Sequence, residues 1–209
     1  MENTNLNYSE LLYLNADKYV PEASFLQNKE ELPSGKKLGV VKLGNLEAEV
    51  AFAYLYFNGH IDLELTSKKI LGFIPKKVVT STKKSDGANL TSLEKLIFNL
   101  SDSLDVHSIL YRLIGEECSV PWAVITGVVK DSLVNKEFLT KEEITKKIIV
   151  SFVIYKYHLN ASKTIDFNNE ISEMNIKLKE FSQKDFYKLL VNSIDSGINS
   201  QKEKPDTSD

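Results

Sequence analysis

Four groups of residues in this chain combine types and spacings that could do chemistry. His60, Asp62 and Glu64 alternate, so on a β-strand one imidazole and two carboxylates share a face. That arrangement suits a divalent metal or an acid–base pair. No second histidine lies near His60, however, and the same alternation marks the solvated side of a half-buried strand. Cys118 follows Glu116 and Glu117. A reactive thiol needs a cationic or helix-N-terminal setting to lower its pKa, and flanking carboxylates work against that. A structural cysteine is the simpler reading, and nothing in the sequence brings His107 or His158 to it.

The third group is basic. Lys68, Lys69, Lys76, Lys77, Lys83 and Lys84 fall in a stretch with no acid before Asp86, although the whole chain has a net charge of −3. Lysine pairs flanking short strands could line one rim of a sheet and contact the phosphates of a nucleic acid or another polyanion. The stretch has no arginine for bidentate recognition, and edge-strand lysines also guard against sheet-to-sheet aggregation. The fourth group is apolar. Phe167, Ile171, Met174, Leu178 and Phe181 repeat at spacings of four and three. This narrow stripe on one helix suits either packing on the core or a seam with a protein partner or a second copy. No phosphate loop, dinucleotide fingerprint, zinc-ligand pairing or nucleophile elbow is present, and no cofactor is expected.

The elements that must position these groups divide the chain into zones. Residues 1–35 are weakly patterned and are expected to wrap over the core, with Leu11, Leu12 and Leu14 on a short helix. Residues 36–80 read as an antiparallel meander of three to five strands. Its centre is Asn58-Gly59, the dipeptide of a two-residue type I′ hairpin. With that turn, Val50, Phe52, Tyr54, Tyr56, Ile61, Leu63 and Leu65 collect on one face, Tyr54 opposite Leu63 and Phe52 opposite Leu65. Leu38–Leu43, Ile70–Ile74 and Val78–Thr80 supply further strands, and Pro75 belongs at an edge or a bend.

Residues 81–90 form a connector, and 91–198 a region of four to five helices that completes one domain with the meander. Thr91 and Glu94 make a capping box before Leu93, Leu96, Ile97 and Leu100. Asp105 caps a helix that stops at Gly115. Pro121 could open another, although Val124–Val129 is rich in β-branched residues. Thr140 and Glu143 form a second capping box, for a helix running to about Tyr157. The stripe helix follows, then a last one ending at Gly197, and residues 199–209 form a polar, disordered tail.

The expected fold is therefore α+β, an N-terminal meander packed against a C-terminal helical group. The 209 residues suit a single core. One cysteine excludes an internal disulfide framework and fits a reducing, cytoplasmic setting. The polar start Met1–Asn5 is unlike a signal peptide. The most apolar run, Ile148–Tyr157, is about half the length of a spanning helix, so no membrane partner is expected. Abundant Asn, Lys, Ile and Ser match an AT-rich bacterial or phage genome. With no catalytic cluster evident, the sequence points to a non-enzymatic interaction or assembly protein self-associating through 167–181. A nucleic-acid or polyanion-binding protein using Lys68–Lys84 comes second, and a metal-dependent enzyme using His60, Asp62 and Glu64 third.

Overall fold

The computed structural model describes residues 6–70, 74–115, 118–147, 151–163 and 166–200. Glu116, Glu117 and the tail beyond Ser200 lie outside the described residues, as do Leu71–Phe73 and Ile148–Val150. The architecture is α+β, but helices and strands are interspersed along the chain. Among the described residues there are seven α-helices and three small separate sheets. The expected division into meander and helical group is thus corrected.

The chain opens with α1 (Tyr8–Leu14) and a short ribbon of β1 (Lys29–Glu31) and β2 (Lys37–Gly39). Then comes α2 (Val40–Phe57), which touches α1, α3, α5, α6 and α7 once these are in place. Hairpin β3 (Ile61–Ile70) and β4 (Ile74–Lys83) follows, then α3 (Ser92–Leu100). Next are β5 (Asp102–Asp105), which joins the edge of β4, and α4 (Val106–Ile114). α5 (Pro121–Asn135) leads into a second long hairpin, β6 (Leu139–Lys147) and β7 (Ser151–Leu159). α6 (Asn168–Phe181) and α7 (Tyr187–Asn199) close the fold.

The largest correction concerns Val50, Phe52, Tyr54 and Tyr56, which lie on α2 and not on a strand. Val50, Ala51, Phe52, Ala53 and Leu55 are all fully buried, so α2 is apolar on nearly every side and shows no helical stripe. Asn58-Gly59 ends this helix. Gly59 takes φ +68°, its N–H donates to Tyr56 O at 3.2 Å, and the His60 N–H donates to Leu55 O at 2.9 Å. These are the two bonds of a Schellman cap, for which Asn-Gly is as well suited as for a hairpin. Leu63 and Leu65 therefore pair with Ser81 and Val79, not with Tyr54 and Phe52.

The predicted helix from Thr140 to Tyr157 is also corrected. That segment is the β6–β7 hairpin, with Glu143 opposite Tyr155 and Lys141 opposite Tyr157. Its β-branched and aromatic content outweighs the capping-box pattern. The α5–β6 junction repeats the α2–β3 solution. Phe138 N–H donates to Leu133 O and Glu137 N–H to Val134 O, both at 2.9 Å, with Glu137 at φ +62° in the place Gly59 holds. Residues 1–35 do not merely wrap the surface, because Tyr8–Tyr13 of α1 are buried. Gly197 is not a stop. It lies within α7, where a Cβ would meet His107 O at 2.9 Å, so it lets α4 and α7 approach closely.

Several expectations hold. Asp105 caps α4, its Oδ1 accepting from Ser108 N–H at 3.0 Å, and Gly115 ends that helix at φ +84°. Pro121 does open α5. Thr91 takes the N-cap position of α3, but its side chain makes no cap bond and Glu94 turns inward instead.

Candidate functional site

The six lysines divide between the base and the far end of the β3–β4 ribbon. Near the base, Lys83 donates to Asn99 O at 3.0 Å and lies 5.3 Å from the Phe98 ring centre, while Lys84 pairs with Asp62 at 3.2 Å. Both serve local contacts. At the far end the register sets Lys68 directly opposite Lys76, Lys69 opposite Pro75, and Ser67 opposite Lys77. Like charges facing each other across a ladder repel, and the Lys68–Asp105 pair at 2.7 Å offsets part of that repulsion.

Lys68, Lys76 and Lys77 line a groove of about 580 Å³ between the ribbon and the α4–α7 pair. Val78, Asp105, His107 and Ser108 form its floor and one wall, and Leu189, Asn192, Ser193 and Ser196 of α7 form the other. Asp105 is the acid of this groove. Burial works to raise its pKa, but the Lys68 ammonium at 2.7 Å and the Ser108 N–H and hydroxyl outweigh that and hold it below the usual range. Asp105 thus offsets Lys68. Lys76 and Lys77 are exposed and make no ion pair among the described residues, which leaves the groove a net cationic rim. The wall residues from α4 and α7 were not identified from sequence. α4 and α7 approach closely at Gly197, and a lone glycine does not announce that in advance.

The other candidates are not gathered into sites. His60 Nδ1 lies 2.8 Å from Ser85 Oγ, Asp62 pairs with Lys84, and Glu64 is exposed. Among the described residues no three His, Cys, Asp or Glu side chains are placed to hold a metal ion. Cys118 is a half-buried free thiol. His107 stacks on Tyr111 of its own helix, and His158 lies 3.0 Å from Glu142. The stripe is consumed within the chain. Ile171, Met174 and Phe181 are buried, and Phe167 and Leu178 pack against the same core.

A buried polar network was missed in the sequence. Glu10 of α1 accepts from Asn7 N–H, Ser132 Oγ and Lys136 Nζ, each at 2.7 Å. Glu94 of α3 accepts from Ser9 N–H at 3.0 Å and Ser9 Oγ at 2.8 Å. Glu47 of α2 accepts from Thr126 Oγ at 2.7 Å, and its Oε1 has no hydrogen-bond partner among the described residues. Burial first, then the Glu10 charge, pushes Glu94 up to about 7. Burial, against the opposing Thr126 bond, pushes Glu47 up to about 8. The available signal was an acid set into an apolar helical run, Glu47 between Leu43 and Val50 and Glu94 beside Leu93 and Ile97.

No helix among the described residues is long and apolar enough to cross a membrane. Compared with known proteins, the chain gives no significant match to a family model, a curated protein or a solved structure.

Proposed function

We propose that this protein binds nucleic acid through the backbone phosphates, using the cationic groove at the far end of the β3–β4 ribbon. The observation that carries the reading is the register of Lys68 against Lys76 at the rim of this groove, with Lys77 next along the strand. Bound phosphates would neutralise the repulsion that this register imposes. Among the described residues the groove lining has no Phe, Tyr or Trp for base stacking and no arginine for bidentate base reading, so binding should be tolerant of sequence.

With Lys68 offset by Asp105, Lys76 and Lys77 neutralise about two phosphates, which predicts a slope of log K against log salt of roughly −2 on duplex DNA. The test is a salt titration of binding to a fluorescent duplex. Lys76→Gln with Lys77→Gln should flatten the slope by about two while leaving the fold intact, because both side chains are exposed. No binding at low salt, or a slope unchanged by the double substitution, would overturn the proposal.

A further inference from the structure

We infer that the groove along the free edge of β7 binds a short extended segment of a partner protein, which adds to the β6–β7 ribbon as a third strand. Among the described residues this ribbon is a two-stranded sheet, so β7 has one edge without a neighbour. The phase of the ladder says what that edge offers. Asn160 N–H donates to Phe138 O at 3.0 Å, and the register continues with His158 opposite Thr140 and Lys156 opposite Glu142. Bonded pairs alternate along an antiparallel ladder, so His158, Lys156 and Ile154 bond to β6. Tyr157 and Tyr155 turn their N–H and C=O groups the other way. The strand is also poorly guarded. Lys156 is the only Lys, Arg, Asp or Glu in β7, whereas β6 carries Lys141, Glu142 and Glu143 in succession.

A groove of about 380 Å³ lies on that side. β7 lines it with the consecutive run Ile154–His158, and β6 contributes nothing to it among the described residues. Successive strand residues point to opposite faces, so only a groove running along the edge touches the whole run. Glu31, Leu32 and Pro33 at the end of β1, with the Lys130–Glu30 pair at 2.8 Å, complete the lining. An extended residue, rising about 3.3 Å in a strand spaced about 4.8 Å from its neighbour in a layer about 10 Å thick, fills roughly 160 Å³. The groove therefore takes two to three residues of one strand, the length that pairs with Tyr155 and Tyr157. A second copy of this chain would bring β6 behind its own β7 and needs more room. The side chains set the chemistry of the segment. Val153, Tyr155 and Leu159 are exposed on one face of β7, and lysine ammoniums lie over the tyrosine rings there, Lys141 4.3 Å from Tyr155 and Lys130 4.6 Å from Tyr157. Residues paired with Tyr155 and Tyr157 lie against these rings, where β-branched side chains pack well. Lys156 projects from the other face, exposed and with no ion pair among the described residues, while Glu142 opposite it lies 3.0 Å from His158. The residue paired with Lys156 is then acidic, and the segment reads apolar–acidic–apolar. This groove shares no residue with the lysine groove, so the two proposals stand apart.

The experiment is fluorescence anisotropy of a labelled, end-capped peptide, threonine–valine–glutamate–valine–threonine, titrated with the full chain to high micromolar concentration. Binding should saturate in that range. Methylating the two valine amide nitrogens should abolish it, because those N–H groups face β7, while the side chains are unchanged. The same peptide with lysine in place of glutamate should bind roughly fivefold more weakly, the scale of an exposed charge pair. Lys156→Glu should reverse that preference with little change in melting temperature, since the side chain is exposed. Sedimentation velocity with and without the unmethylated peptide completes the test, and the chain should show no dimer that the peptide dissociates. No binding at high micromolar concentration, binding indifferent to amide methylation, or a preference that Lys156→Glu leaves unchanged would each overturn the inference. A dimer that the peptide dissociates would assign the edge to a second copy and overturn it as well.

Discussion

Replacing Glu47 by Gln takes one titratable proton out of the centre of the helical core while keeping the side chain's shape. In the folded chain this carboxyl is pushed up to about 8, first by burial, against the opposing bond from Thr126, and with some reinforcement from Glu30. In the unfolded chain it titrates near its ordinary 4.5. The folded state therefore binds the proton more tightly. Its contribution is fully present below about pH 4.5 and is lost as pH rises through 8. A shift of roughly three to four units at about 1.4 kcal/mol each sets a ceiling near 5 kcal/mol. Core relaxation and water entry bring the realistic loss to roughly 2–3 kcal/mol. Glu94 has the same sign over a lower range, since it reaches about 7. The assay is urea unfolding at about pH 5, 7 and 9. Wild type should lose stability steadily across that range. Glu47→Gln should be the less stable protein near pH 5, where its amide N–H lacks an acceptor, and the more stable one near pH 9, so that the curves cross. Parallel curves would refute the assignment of Glu47 as a buried, protonated acid.

Two further substitutions test the packing. Gly197→Ala gains helix propensity, but its Cβ would lie 2.9 Å from His107 O, and a backbone atom cannot swing aside. A net loss of about 1–3 kcal/mol is expected in thermal unfolding, with weaker duplex binding because α4 and α7 wall the groove. Glu137→Gly should stabilise by about 1 kcal/mol, because Glu137 holds φ +62° at the cap of α5 and its 3.3 Å pair with Lys163 is too exposed to matter much. A lower melting temperature would show that the cap is not strained.

The sequence was most legible where one physical signal acted without competition. Asp105 before an apolar stripe with Gly115 after it leaves little but a capped helix, and α4 is that helix. The 4–3 stripe of α6 is equally plain. It failed where one signal serves two structures. Asn58-Gly59 fits a hairpin turn and a Schellman cap alike, and the deciding factor was the burial of Ala51 and Ala53, which period-two sorting leaves off the apolar face. At Thr140 a capping box competed with β-branched and aromatic residues, and pairing across nine residues won.

The lysine segment shows why a site is harder to read than an element. Its charge was visible along the chain, yet charge in sequence does not say which lysines act together. The hairpin separates them by register: Lys83 and Lys84 fall at the base, where Asn99 O and Asp62 occupy them, while Lys68, Lys76 and Lys77 fall at the far end, where α7 stands opposite. The helix–helix approach at Gly197 then sets how closely α7 packs on α4, the two helices that wall the groove. A groove made this way depends on three elements distant in sequence, β3–β4, α4 and α7. If the groove binds nucleic acid as proposed, substitutions that shift α7 against α4 should weaken binding as removal of the lysines does.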